Sequence, residues 1–299
     1  MKIVYTVIYH AAITSSSLKI IRPSPEQRRN AATVTIRRLQ TYIGQRQTGG
    51  MGLQRWRMLG YPEKWILYVV LFIFTVIGMK YVIGTRLPDG GRPPYLFLIW
   101  NVFLAWIPLG LAVLLDMIHL IPSRTAKVAL SVPVGLLWLF FYPNAAYLIT
   151  DLLHPFNRYP IAAGIRFWEE LSFWDHLFTL LFAALLGLAL ATVSLASVHH
   201  LVRRAGGGLA GWAFAVLVLL LSSFGIYLGR FIRWNSWDLL RHPGYVLRET
   251  ADYFTDAANV AHMVGFCKWI FLITFFCYVV HYGVARIYRA SERMQGDKV

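Results

Sequence analysis

Four polar side chains recur at helical spacing in the segment that follows the third apolar run of the sequence. If residues 145–154 form a helix, these side chains share one face, because they lie three or four positions apart. They are Asn144, Tyr147, Asp151 and His154. Asp151 and His154 could form a carboxylate–imidazole pair or supply two metal ligands. The pattern leaves open a polar face in contact with water, a buried polar network and a metal site.

The segment that leaves the fifth apolar run contains two arginines among further polar residues. Arg230 and Arg233 are one helical turn apart, and two guanidiniums beside Asn235 suit a phosphate or carboxylate group. The structural alternative is that the arginines reach from a membrane span to its aqueous boundary. Polar residues at span ends are commonly paired, so Asp151 or Asp238 is an expected partner. A functional anion site and a structural ion pair are equally open.

Asp175 and His176 begin the fourth apolar run. The triplet Trp174-Asp175-His176 can be explained without a function, because Asp175 can cap the helix and Trp174 can anchor it at the membrane interface. If Asp151 and His154 hold a metal, Asp175 and His176 are its natural further ligands, but a pair alone is a weak signal. We therefore predict one polar site with no resident metal or cofactor and no nameable catalytic residue. Its members are Asn144, Tyr147, Asp151, His154, Asp175, Arg230, Arg233, Asn235 and Asp238.

The elements that must position these residues are long apolar helices. The 299-residue chain is 57% hydrophobic and 14% charged, whereas soluble domains carry about 25% charged residues. The apolar residues cluster in runs long enough to cross roughly 30 Å of hydrocarbon. These runs are 65–83, 95–115, 128–142, 173–198, 211–229 and 264–282. The sequence predicts an all-α integral membrane bundle of about six transmembrane helices.

The distribution of basic residues predicts how the chain threads through the membrane. With the N-terminus inside, the inside segments hold 19 of the 29 Lys and Arg and 5 of the 14 Asp and Glu. This is the bias of cytoplasmic loops, so both termini are expected in the cytoplasm and the polar site outside. The bias also explains the net charge of +15 without nucleic acid, for which no binding motif is present. Asp116 and His119, at the inner end of the second run, are expected to be solvated.

Three regions are predicted from charge and hydropathy. Residues 1–60 form a basic, disordered cytoplasmic extension, for which Met51 and Met58 are alternative starts. Residues 61–285 form the transmembrane domain, and residues 286–299 form a basic cytoplasmic tail.

Two stretches, 142–152 and 222–238, resemble the signature blocks of the domain-of-unknown-function 1361 family, which are predicted multi-pass membrane proteins, mostly bacterial. The resemblance covers roughly residues 95–285. The family pattern often has proline at the position of Ala146, so this chain departs from it there. The resemblance implies a bacterial plasma-membrane location, and it supplies no activity, cofactor or catalytic residue.

Three functional hypotheses follow. The first is an enzyme or binding site at the outer face for an anionic or lipid-linked ligand. The second is a small-solute transporter or channel, with Pro133 as a flexible point but without the mid-membrane ionisable residue that usually marks a coupling site. The third is a non-catalytic assembly or anchoring protein.

Familiar hydrolase and nucleotide-binding motifs are absent from the sequence. The bilayer and such a ligand are the predicted partners. Enzyme status and oligomeric state are left open.

Overall fold

The computed structural model describes residues 56–88, 90–159, 166–234, 238 and 241–296, with side chains as far as residue 287. The chain divides into two units, residues 1–58 and 59–299. The first unit lies almost wholly outside the described residues, so the predicted disorder of the N-terminal extension lies there too. Within the described residues the second unit is helical, with one isolated bridge between Leu87 and Gly90 and no β-strand. The predicted all-α fold is confirmed.

Eight α-helices are described, joined at two points by tighter 3₁₀ turns and at one by a wider π-helix. The α-helices are α1 Glu63–Gly84, α2 Phe97–His119, α3 Arg124–Phe141, α4 Pro143–Tyr147, α5 His154–Arg158, α6 Leu171–Tyr227, α7 Pro243–Tyr253 and α8 Ala257–Gly296. The 3₁₀ turns are Leu148–Leu153 and Phe167–Glu169, and the π-helix is Leu228–Ile232.

Five helical stretches are long and apolar enough to cross a membrane. They are Glu63–Gly84, Phe97–His119, Arg124–Arg158, Leu171–Ile232 and Ala257–Ile287. Large apolar side chains point outward from them, as Phe72 (59% exposed) and Phe276 (67% exposed) do. A helix that is apolar on its outer face as well as its inner one needs lipid around it. The protein is therefore an integral membrane protein with a helical bundle fold.

The long helix α6 is a hairpin with two arms. Gly207 has φ +85° and ψ 179°, a conformation that is essentially restricted to glycine. The ring centroids of His199 and Trp212 lie 5.4 Å apart, although thirteen residues of straight helix would separate them by about 20 Å. The chain therefore doubles back, with arms 171–206 and 208–227. The described segments thus contain six apolar helical stretches, while their placement across a bilayer stays a prediction.

The α6 hairpin is the centre of the bundle. Half of the residues in its most apolar 18-residue segment are buried, against 17–39% in the corresponding segments of the other four stretches. Helix α8 runs antiparallel to the second arm, because Tyr278 lies 5.9 Å from Trp212, ring to ring, while His262 meets Tyr227 at the other end. The short helix α4 packs directly on the first arm at Gly187, where a Cβ atom would lie 2.3 Å from the Ala145 carbonyl oxygen.

Asp116 is fully buried, so the prediction that it is solvated is wrong. Its Oδ2 accepts hydrogen bonds from Lys64 Nζ at 2.6 Å, Ser197 Oγ at 3.0 Å and the Tyr61 hydroxyl at 3.1 Å. Burial raises the pKa of Tyr61, and the nearby Asp116 carboxylate raises it further. The Tyr61 hydroxyl therefore stays protonated and can donate. The end of α2 is covered by α1 and by the first arm of α6, and His119 is half-buried.

Candidate functional site

The segment that carries the first predicted residues is helical, but it is not one α-helix. Helix α4 passes into the 3₁₀ turn Leu148–Leu153 and then into α5. Residues three apart eclipse each other in a 3₁₀ helix, so Asp151 and His154 lie on one face. His154 Nδ1 is 3.6 Å from Asp151 Oδ1 and 2.9 Å from the Asp151 backbone oxygen. The carboxylate–imidazole pair is therefore present as a contact.

Asp151 is the centre of a cluster that joins four elements. It is 2% exposed. Its Oδ2 accepts a hydrogen bond from Asn101 Nδ2 at 3.0 Å, and its Oδ1 lies 3.7 Å from Arg230 Nη1. Asn101 belongs to α2 and Arg230 to the π-helix after α6. We call Asn101, Asp151, His154 and Arg230 the Asp151 cluster. Arg230 thus takes Asp151, one of its two expected partners, as its ion-pair partner.

Arg230 keeps most of its hydrogen-bonding capacity. At 3.7 Å its guanidinium is too far from Asp151 for a hydrogen bond, and it makes no hydrogen bond to any residue that the structure describes. A guanidinium has five N–H donors, and this side chain is 21% exposed. A donor-rich cation beside a buried carboxylate, still reachable from the surface, is suited to a second, incoming anion.

The backbone that carries the two arginines is irregular. Leu228–Ile232 is a π-helix, and Arg233 follows in the left-handed region with φ 66° and ψ 29°. A left-handed conformation in a residue other than glycine costs on the order of 1–3 kcal/mol, and single π-turns are frequent at functional sites. The expected α-helical spacing between Arg230 and Arg233 is thus broken. Arg233 is exposed, while Arg230 faces Asp151.

Other predicted members lie beside the cluster or elsewhere. The ring of Tyr147 packs against Gly229, next to Arg230. Asn144 donates to the Phe141 carbonyl oxygen at 3.0 Å. The Asp238 backbone oxygen accepts from the His242 amide at 2.8 Å, and Asn235 lies outside the described residues.

Asp175 belongs to a different part of the bundle. It lines a cavity beside α1, and no residue of the Asp151 cluster lines that cavity. Its expected role as a helix cap is wrong, because α6 begins four residues earlier, at Leu171, with Glu170 at the capping position. His176 engages Tyr95 Oη at 2.8 Å and the Arg86 carbonyl oxygen at 2.9 Å, so both of its ring nitrogens are occupied.

No metal centre forms within the part of the chain that the structure describes: no three His, Cys, Asp or Glu side chains there are placed to hold an ion. The four residues offered as metal ligands by the sequence are split between the Asp151 cluster and the cavity beside α1.

Sequence reasoning missed three residues that build the site. Asn101 lies in an apolar run, and a polar residue inside a span was the available signal. Arg158 donates to the Pro94 carbonyl oxygen and lies 5.6 Å from the Phe97 ring centroid. Phe97 in turn lies 4.6 Å from His154, ring to ring. Arg158 and Phe97 therefore hold α5 against the start of α2, which keeps His154 beside Asp151.

Comparison with known proteins adds a family but no activity. No curated protein and no solved structure matches the chain. A family model described as "Protein of unknown function (DUF1361)" matches residues 100–282, a range that includes every member of the Asp151 cluster. With more than half of its length matched, and with the helical membrane fold that the resemblance implied, this chain belongs to the DUF1361 family.

Proposed function

We propose that this protein binds an anionic ligand, free or lipid-linked, at the extracytoplasmic face of a bacterial plasma membrane. The observation that carries the proposal is Arg230, a partly exposed guanidinium that is held near a buried carboxylate without being hydrogen-bonded to it. The charge bias of the loops supports cytoplasmic termini, which puts the Asp151 cluster on the outer side.

The cluster favours an anion over a cation. The Arg230 guanidinium makes no hydrogen bond to Asp151, so its N–H donors are left for an anion. Because the Arg230 guanidinium lies beside Asp151 Oδ1 and would repel a second cation, and Oδ2 already accepts a hydrogen bond from the Asn101 amide, no cation is favoured at the Asp151 carboxylate. Its role in this proposal is to orient Arg230, whose remaining donors can form a charge-assisted, bidentate contact with a phosphate or carboxylate.

The distance within the ion pair weighs against a purely structural role. A structural Arg–carboxylate pair is usually bidentate, with N–O distances of about 2.7–2.9 Å. Here the distance is 3.7 Å. The strained turn at Arg233 is a further cost that a simple packing contact does not need.

A small-solute transporter is the second candidate, and one observation favours it. The Lys64–Asp116 pair is an ionisable pair covered by the bundle, but it lies at the start of α1 and the end of α2 and not at mid-membrane, where a coupling site is expected. Asn101 and Asp116 both lie on α2, about 22 Å apart along its axis. A substrate that crosses the membrane would pass Asn101 near one end of α2 and Asp116 near the other. A change at either residue should then alter the uptake of the same solute. Asp116→Asn in proteoliposomes tests this candidate: uptake that is unchanged relative to wild type contradicts it.

The binding proposal is tested with two soluble probes, inorganic phosphate and glycerol phosphate, titrated into the purified protein in detergent by calorimetry. Wild type is expected to bind at least one of them. Arg230→Gln removes a charge-assisted contact of about 1.5–3 kcal/mol, so affinity should fall about 10- to 100-fold.

The matched control is Arg248→Gln, because Arg248 is exposed on α7 outside the cluster. It should leave the affinity within about twofold of wild type, which is under 0.5 kcal/mol. If wild type binds neither probe, or if both variants weaken binding equally, Arg230 is a structural residue and the proposal is wrong. Thermal unfolding of each variant separates lost binding from lost folding.

A further inference from the structure

A cavity of about 630 Å³ opens between α1 and the first arm of α6. Its volume falls in the range of small-molecule sites, roughly 300–1,000 Å³. Most of its lining residues belong to two stretches that are apolar enough to cross a membrane, and Thr85 and Arg86 lie just after the first of them. It is separate from the Asp151 cluster, none of whose residues line it.

Two cations line this groove. Lys80 and Arg86 line it and are both exposed, and Asp175 faces them from α6. Lys80 forms no hydrogen bond or ion pair with any residue in the described ranges. Arg86 donates to the Thr85 carbonyl oxygen at 3.0 Å, which holds its guanidinium at the end of α1. The three charges leave a net of +1, which matches the single negative charge of a phosphodiester.

Aromatic rings line the same groove. Phe178 and Phe182, one turn apart on α6, line the groove, and Phe178 is 53% exposed. Phe74 of α1 continues this surface, 6.1 Å from Phe182, ring to ring. Phe74 is 45% exposed. An occupant of the groove therefore meets both cations and bare aromatic rings.

We infer that this groove binds an anionic phospholipid, with its phosphate at Lys80 and Arg86 and an acyl chain along Phe178 and Phe182. An ammonium and a guanidinium form charge-assisted contacts with a phosphate. A soluble phosphate would leave the aromatic rings uncovered, whereas a lipid from the surrounding bilayer matches both the cations and the rings. A zwitterionic lipid carries no net charge to match the groove.

The test uses the full-length protein in nanodiscs that contain phosphatidylcholine with one-fifth phosphatidylglycerol, followed by release into detergent and native mass spectrometry. Wild type should retain phosphatidylglycerol in preference to phosphatidylcholine. Lys80→Gln should reduce the retained phosphatidylglycerol at least threefold, and Lys80→Arg should restore it. Phe178→Ala should reduce retention of this lipid without changing its preference over phosphatidylcholine.

Lys268→Gln is the matched control. Lys268 lies on α8 over the ring of Trp269, and it does not line the groove. This variant should retain lipid as wild type does. The inference is overturned if Lys80→Gln and Lys268→Gln lose lipid equally, if Lys80→Gln loses none, or if wild type retains both lipids in proportion to their supply. Melting temperatures in detergent identify any variant that fails to fold.

Discussion

At the scale of single residues, the chemistry of this protein depends on how many hydrogen-bond donors and acceptors of each charged group already have a partner. Asp116 and Asp151 are both buried carboxylates, yet they differ in their partners. Asp116 accepts a hydrogen bond from Lys64 at 2.6 Å, whereas the Arg230 guanidinium stays 3.7 Å from Asp151. A short contact consumes the donors of the cation, and a long one leaves them for another molecule. This difference makes Arg230, and not Lys64, the candidate for ligand binding.

Asp151→Asn is expected to lower stability modestly. It removes the charge that faces Arg230 and His154 and keeps a side chain of similar volume, which costs about 1–2 kcal/mol once the partial solvent screening of Arg230 is discounted. The melting temperature in detergent should fall, while Asp252→Asn, at an exposed position on α7, should not change it. Equal melting temperatures for both variants would show that the Asp151 cluster adds no stability.

At the scale of helices, the fold depends on how α6 turns back at Gly207. A Cβ atom at position 207 would meet no atom of a packed neighbour within 4 Å. Only the backbone conformation therefore limits which residue fits at this position. Gly207→Ala should therefore destabilise the hairpin by about 1–3 kcal/mol.

The adjacent Gly208 is an internal control for that prediction. Its Cβ position is equally open, and its φ is not positive. Gly208→Ala should be neutral or slightly stabilising in thermal unfolding, because alanine favours a helix by up to about 1 kcal/mol over glycine. Equal effects of the two alanine variants would mean that Gly207 does not hold the turn.

The Lys64–Asp116 pair connects α1 to α2, and Ser197 of α6 joins it. Removing one partner of a buried pair costs about 3–5 kcal/mol, whereas replacing both by apolar residues is often close to neutral. Lys64→Met and Asp116→Leu should each destabilise the protein strongly, and the double variant should be more stable than either single one. A double variant that shows the full sum of both losses would contradict this coupling.

At the scale of the whole molecule, the fold class and its apolar runs could be predicted from sequence, because spanning hydrocarbon imposes length and composition on each helix. The details of the site could not. The spacing of Arg230 and Arg233 assumed an α-helix, and the chain forms a π-helix followed by a left-handed residue. Asp116 was placed in solvent because no local pattern reveals which neighbouring helices cover the end of α2.

The segment 143–158 shows the same limit. Its polar spacing correctly marked Asp151 and His154 as neighbours, since both 3₁₀ and α-helices bring residues three apart together. Asn101, the residue that completes the contacts of Asp151, lies fifty positions earlier in the chain. A contact of that separation depends on how helices pack, and only the folded bundle reveals it.

The account rests on the Asp151 end of the bundle facing outward, and labelling of single cysteines in intact cells tests this directly. With Cys267 and Cys277 replaced by serine, one cysteine is placed at the exposed Arg233 and another at Leu209, which is 88% exposed beside the Gly207 turn. A membrane-impermeant maleimide should label Arg233→Cys in intact cells and Leu209→Cys only after the membrane is opened. The reverse pattern, or labelling of both from the same side, would contradict an extracytoplasmic binding site.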